Sequence, residues 1–259
     1  MTESSGREPE FAGKVAVVTG GGAGIGLAIA RAFARAGARV AIAGRSKERL
    51  AHAAALIEDA GGEAVFAIPA DMGKPPDCQR IIAATIERFD ALDILINNAA
   101  HFALVPLMEA EPAEAARFMQ INVMGPLHCS RAFAHWAIEG RHKGAIVNVS
   151  SIAGSRPAPG CGLYSASKAA LESLTRSMAL EWARQGVRVN AVAPGHVATQ
   201  GVLEDFRTGR LDETAMMRAI PAGRIADADD IADAVLFLAG DRARHIEGQV
   251  LTVDGGEGF

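Results

Sequence analysis

Tyr164 is the only tyrosine in 259 residues, and Lys168 follows it by four positions in Tyr164-Ser165-Ala166-Ser167-Lys168. On a helix, positions i and i+4 lie one above the other on the same face. A nearby ammonium favours the phenolate and lowers a phenol's pKa from about 10. The pair is therefore a candidate proton donor and acceptor for a substrate oxygen. The plainer alternative is a packed tyrosine beside a solvated lysine. A five-residue pattern alone does not separate the two; the elements around it must supply a cofactor site and a second polar group.

A second polar group stands at Ser151. Residues 145–150 (AIVNVS) form an apolar run that reads as a strand, with Ser151 at its carboxyl end. A glycine- and proline-rich loop, residues 154–162, then returns the chain to the helix carrying Tyr164 and Lys168. Sites of open α/β sheets lie outside the carboxyl ends of the strands. A hydroxyl at a strand end and a phenol near a helix start can converge there on one carbonyl oxygen.

A cofactor site is suggested near the start of the chain. Residues 14–19 (KVAVVT) read as a buried strand, followed by Gly20-Gly21-Gly22-Ala23-Gly24-Ile25-Gly26 and an alanine-rich amphipathic helix. Glycines let a backbone approach phosphates, and a helix N-terminus offers free N–H groups with partial positive charge. A simple tight turn would not need five glycines. The second strand, residues 39–43, is followed by Gly44-Arg45-Ser46, with no acid at its end. An acid there would suit a ribose 2′-hydroxyl, and an arginine suits a 2′-phosphate. Arg45 could equally be an exposed arginine at a helix start.

The rest of the chain alternates in the same way. Ser46 caps a helix to about residue 60, stopped by Gly61-Gly62. Strand three covers residues 64–68, with Asp71 and Met72 after it; Asp71 could also cap the next helix, residues 75–89. Strand four, residues 91–96, ends in Asn97-Asn98-Ala99-Ala100, where the asparagines can tie strands together or simply turn the chain. A loop over 101–112 contains His101, either a second proton-transfer group or an ordinary cleft histidine. A long helical stretch, 113–138, is interrupted near Gly125-Pro126, since a proline removes one helix hydrogen bond. Strand six spans 187–192 and leads into Pro194-Gly195-His196-Val197-Ala198-Thr199. Residues 200–220 are polar, irregular and methionine-bearing, as a mobile lid would be. A helix over 227–239 and strand seven, 249–253, complete the pattern. Regular alternation without linker or repeat predicts an α/β chain with a doubly wound, seven-stranded parallel sheet and helices on both faces.

Composition narrows the classes. Apolar residues make up 49% and charged residues 22%, enough for a sizeable core. Net charge is -4 with no long basic block, which argues against nucleic acid as a partner. No stretch of about 18 apolar residues occurs, so no membrane span is expected. Residues 1–10 are polar and read as a loose tail rather than a signal peptide. Cys78, Cys129 and Cys161 are widely spaced with no C-x-x-C, so neither a disulfide framework nor a metal site is expected, and a reducing cytoplasm fits.

The turn has the form Thr-Gly-x-x-x-Gly-Ile-Gly, and together with Ser151, Tyr164 and Lys168 it resembles the short-chain dehydrogenase/reductase family from about residue 11 to 256. The resemblance implies a single-domain Rossmann fold over 11–259 and an NAD(P)-dependent oxidoreductase acting between a carbonyl and a secondary alcohol. It implies four catalytic residues. Tyr164 is the general acid/base, Ser151 binds the substrate oxygen, Lys168 holds the nicotinamide ribose and lowers the Tyr164 pKa, and Asn122 at a helix kink holds a water by its backbone carbonyl. It further implies cofactor contacts from Gly20, Gly22, Gly24, Ile25, Gly26, Asp71, Met72, Asn98, Ala99, Pro194, Gly195, Val197 and Thr199, besides Tyr164 and Lys168. With Arg45, NADP(H) is expected over NAD(H), although Ala23 stands where many NADP-preferring relatives carry a base. Ala100 replaces the glycine of the family's Asn-Asn-Ala-Gly. A tetramer or dimer is implied, and the helix over about 163–184 and the one before it could pack against copies of themselves. Two other functions are open. One is a 3-oxoacyl-thioester reductase, its acidic carrier meeting Arg141, His142 and Lys143, which could equally be a solvated loop. The other is a cofactor-binding regulator without turnover. Phe102, Leu104, Cys161 and Leu203 are among residues expected to make a mainly apolar substrate pocket.

Overall fold

The apolar, β-branched run Val15–Thr19 forms β1 and is buried along its whole length, as a strand covered on both faces must be. Successive side chains alternate. Ala16 and Val18 join one core layer, Val15 and Val17 the other. The computed structural model describes residues 9–60, 63–209 and 212–258. Within them β1 is followed by α1 (Gly24–Arg35), β2 (Arg39–Gly44), α2 (Lys47–Glu58), β3 (Phe66–Pro69), α3 (Pro75–Phe89) and β4 (Ile94–Asn97). Next come α4 (Pro112–Met119), a π-helical turn (Gln120–Met124), α5 (Gly125–Glu139), β5 (Gly144–Val149), α6 (Gly162–Trp182) and β6 (Val187–Pro194). The chain closes with α7 (Gln200–Arg207), α8 (Glu213–Ala219), α9 (Ala228–Ala239) and β7 (Val250–Val253).

The seven strands pair in parallel in the order β3-β2-β1-β4-β5-β6-β7. One core layer holds Ile29, Phe33, Leu50, Ile231 and Val235 under α1, α2 and α9. The other holds Ile81, Ile82, Phe133 and Met178 under α3, α5 and α6. This is the doubly wound Rossmann architecture. Strand order reverses between β1 and β4, and a crevice opens there at the carboxyl ends.

Three expectations change in detail. Residues 200–207 and 213–219 are not irregular but helical: Thr199 turns extended before α7, and the Asp212 carboxylate accepts from the Ala215 N–H to start α8. The interruption of the long helix lies at Gln120–Met124, just ahead of the Gly125-Pro126 pair. The strand ends also move: β6 runs two residues further because Ala193 and Pro194 pair with Thr252 and Val253 of β7. Residues 1–8 of the expected tail and the Gly61-Gly62 stop lie outside the described residues. Phe11 is already packed, its ring edge-on to Phe33 at 5.0 Å and its N–H donating to Ala36 O.

Candidate active site

The crevice is built first from backbone. Thr19 Oγ1 donates to Ile96 O (3.2 Å) and accepts from the N–H groups of Asn98 and Ala99, which ties the end of β1 to the end of β4. Asn98 Nδ2 donates to Thr19 O and Gly20 O, so the second asparagine fastens the glycine turn. Gly20 and Gly24 have φ of +69° and +54°, conformations that favour glycine. A Cβ on Gly26 would sit 2.3 Å from Gly20 O and 2.4 Å from Asn98 Nδ2. The helix behind the turn, α1, has no side-chain cap and no acid in its first turn, which leaves its first N–H groups for an anion.

Gly20, Ile25 and Gly26 from this turn, Arg45 after β2, Asp71 and Met72 after β3, Asn98 and Ala99 after β4 and Thr199 after β6 line one cleft of about 340 Å³. A nicotinamide dinucleotide fits these residues: bare backbone and open N–H groups for the pyrophosphate, and an exposed guanidinium with no ion-pair partner among the described residues. Asp71 does not cap α3, whose N-cap is Lys74. Its Oδ1 accepts from Gly73 N and its own N–H donates to Asp77 Oδ2. That backbone N–H, ahead of Arg80, holds the Asp77 carboxyl below its ordinary pKa. Gly22 and Gly24 shape the turn without lining the cleft. Pro194 ends β6, and Gly195 donates to Val253 O. The Val197 side chain is buried in the layer under α1 and α9.

Beside the cleft lie the four residues expected to do chemistry. Ser151 follows β5 and opens a short turn, its Oγ accepting from Ala153 N. Tyr164 and Lys168 share one face of α6, with Nζ 5.6 Å from the centre of the phenol ring. Lys168 is buried and donates to Val149 O at 2.7 Å. Burial pushes its pKa down to about 8, with Glu172 acting in the opposite sense. Burial pushes the Tyr164 phenol up to about 12, against a smaller downward pull from a hydrogen bond to Ser151. Spacing alone predicts that the ammonium controls the phenol. Burial dominates instead, while the ammonium is itself desolvated and turned toward a carbonyl.

Asn122 is buried inside the π turn. Its Oδ1 accepts from His101 N (2.7 Å), and its Nδ2 donates to His101 O (2.9 Å) and Ser167 Oγ (3.0 Å). Ser167 Oγ in turn donates to Tyr164 O (2.7 Å). The π register arises locally. Pro126 has no N–H for Asn122 O four residues back, and the Gly125 N–H reaches Gln120 O instead. Gly125 also lets the backbone pass Met72, whose carbonyl would be 2.8 Å from a Cβ there.

Several groups of the site carry no motif in the sequence. Ser167 joins Asn122 to the tyrosine backbone. Glu172 extends the Tyr164, Lys168 face by another four residues, is buried, and accepts from Ser150 Oγ at 2.8 Å. That i, i+4, i+8 stripe was the available signal. Asn97 donates to Ser130 and Asn148, and Asn148 to Thr175, a buried chain linking β4, β5, α5 and α6. His101 is a braced cleft residue: its Nε2 is 2.6 Å from Glu114 Oε1 and its ring stands 4.6 Å from that of Phe118. His196 pairs with Glu257. The basic trio precedes β5, at the end of the sheet opposite Ser151, and the His142 ring stacks on Trp136 at 4.4 Å.

A glycine cradle at the β1–β4 crevice, with a phenol, a lysine, a serine and an asparagine beside it, defines a nicotinamide-dependent oxidoreductase. Comparison with known proteins agrees. A family model described as enoyl-(acyl carrier protein) reductase matches residues 20–257. An uncharacterized oxidoreductase of Thermotoga maritima is 39% identical over 95% of this chain and 98% of its own. A galactitol 2-dehydrogenase (L-tagatose-forming) of Cereibacter sphaeroides is 40% identical over 94% of both chains. A candidate NAD(P)-dependent gluconate 5-dehydrogenase from Beutenbergia cavernae, solved with NADP at low occupancy, superposes with a TM-score of 0.89 at 35% identity, covering 97% of this chain and 99% of the other. The chain belongs to the short-chain dehydrogenase/reductase family. It is an NAD(P)-dependent oxidoreductase that moves hydride between a nicotinamide cofactor and an alcohol or carbonyl group.

Proposed function

We propose that Tyr164 is the general acid/base of this reaction, giving a proton to the carbonyl oxygen in reduction and taking it back in oxidation. The observation that carries this is the convergence of Tyr164, Lys168 and Ser151 at the carboxyl ends of the strands beside the glycine cradle. Ser151 holds the substrate oxygen, Lys168 the nicotinamide ribose, and Asn122 positions a water with the backbone carbonyl that Pro126 leaves without its α-helical donor. When bound, the cofactor supplies or accepts the hydride; the protein supplies orientation and electrostatics.

The cofactor is NADP(H) before NAD(H). Arg45 supports this: its exposed guanidinium at the end of β2 suits a bidentate 2′-phosphate contact, and no acid competes for a free 2′-hydroxyl. Residues 11–259 act as one domain in the cytoplasm, with α7 and α8 as the substrate lid; the free cysteines suit a reducing compartment. The assembly is a tetramer or dimer. Leu180 is 86% exposed on α6, and an apolar cleft lined by Leu127, Ile138, Leu174 and Trp182 runs between α5 and α6.

A screen following reduced-nicotinamide absorbance tests this, with both cofactors and a panel of ketones, alcohols and acyl thioesters. Turnover with higher catalytic efficiency for NADPH is expected, and a clear NADH advantage would refute the role of Arg45. The thioesters test the second reading, a 3-oxoacyl-thioester (acyl-carrier-protein) reductase; the family model's description shares its acyl carrier but names an enoyl group rather than a ketone. The position of Arg141 to Lys143 at the far end of β5 weighs against a carrier docked on that trio delivering its cargo to Tyr164.

A further inference from the structure

Resting on the reading of Tyr164 above, we propose that residues 102–107 form an apolar wall for one substituent of the reacting carbon. The substrate class is then a ketone or secondary alcohol carrying an alkyl or aryl group, rather than a polyhydroxylated sugar. The segment is fastened to the loop before α6: Val105 N donates to Gly160 O at 2.7 Å. Three of its side chains lie along that loop and the start of α6. The Phe102 ring meets the Tyr164 ring edge-on, 5.0 Å between centres at 86°. Leu104 covers Gly160, with its carbons 3.8 Å from where a Cβ would be. Leu107 fills the space beside Gly162, 2.8 Å from the same point. Yet Phe102, Leu104 and Leu107 remain 59%, 64% and 67% exposed. Large apolar side chains thus stand next to the phenol with most of their surface uncovered.

Both cleft histidines and Asn122 already have partners. His101 pairs with Glu114, His196 with Glu257, and Asn122 with His101 and Ser167. A polyol would bring a hydroxyl on every carbon, each needing a partner once water is excluded. Against Phe102 and Leu104 it would find none, whereas an alkyl or aryl group would cover both. A site without such partners discriminates against the hydroxylated substituent by desolvation alone. The galactitol dehydrogenase similarity therefore carries the reaction class and not the shape of this wall.

The test is a kinetic comparison of wild type with Phe102→Ser and Leu104→Asn. The panel holds alkyl and aryl methyl ketones, polyols and hexoses, with both nicotinamide cofactors. The wild type is expected to favour the apolar ketones in kcat/KM by about tenfold or more. Each variant is expected to raise their KM by about tenfold, with a smaller change in kcat. Both side chains are exposed, and a cofactor titration verifies that each variant is folded. A preference for polyols or hexoses, abolished by Tyr164→Phe, would overturn the wall while leaving the reading of Tyr164 in place. Variants that shift the oligomeric state on gel filtration and leave ketone KM alone would make the patch a contact between copies, and also overturn it. No turnover of any compound by the wild type would overturn the reading of Tyr164 and the wall with it.

Discussion

Burial sets the protonation of both members of the Tyr164–Lys168 pair, in opposite directions. A phenol held near 12 is protonated throughout the neutral range. Carbonyl reduction needs that acid form, so its kcat/KM should stay nearly flat from about pH 6 to 8. Alcohol oxidation needs the phenolate and should climb steadily with pH, as initial rates in both directions would reveal. Lys168 has a consequence for stability. Its pKa falls from 10.5 in the unfolded chain to about 8 in the fold, so between those values the unfolded state binds more protons. Its cost is complete below about pH 8 and is relieved as pH rises toward 10.5. Lys168→Met should therefore raise Tm at pH 7, by a gain on the order of 3 kcal/mol before the lost Val149 hydrogen bond is subtracted. The gain should shrink from pH 8 to 10, and thermal melts across that range check the sign. The pair itself was legible from spacing. Its pKa values were not, because a four-residue interval records which face two groups share and not how deeply that face is buried. Glu172 was missed for the same reason: a glutamate on a helix is usually solvated, and only the packing of α6 on β5 makes this one internal.

Among the elements, the π turn at Gln120–Met124 positions the site most directly. It turns Asn122 so that its amide bonds His101 on both sides and reaches Ser167, which holds the Tyr164 carbonyl. Pro126 denies Asn122 O an α-helical donor, and Gly125 lets the turn pass Met72. Pro126→Ala restores the missing N–H and favours a regular helix. Turnover should drop about tenfold while Tm holds or rises, since alanine is the better helix former. Combined kinetics and melting of that variant test it; full activity would mean that the proline does not set the turn. The sequence located the break to within a few residues because proline is a strong local signal. It could not show that the turn runs close against Met72, where only a glycine at 125 leaves room, because that neighbour comes from another part of the chain. Helices α7 and α8 were hidden similarly: residues 200–220 are polar and short in periodicity, and α8 starts on the Asp212 cap.

At the scale of the whole molecule, parallel strands whose order reverses between β1 and β4 collect the carboxyl ends of β1, β2, β3, β4, β5 and β6 around one crevice. Strand-helix alternation made this architecture readable, and the glycine turn marked the crevice. Asn98 and Thr19 show what alternation leaves out, since the cradle keeps its shape through bonds between segments nearly 80 residues apart. The long-range chain Asn97–Asn148–Thr175 likewise fixes α6 on the sheet, and with it the phenol. On the proposed role of Tyr164, these contacts place one proton-transfer group beside one hydride carrier. Hydride transfer by Tyr164→Phe, measured from reduced-nicotinamide absorbance alongside a cofactor-binding titration, tests that most directly. A loss of about 10²-fold or more in kcat is expected, with cofactor affinity retained. Turnover equal to wild type would contradict it, because no other phenol exists in the chain to take its place.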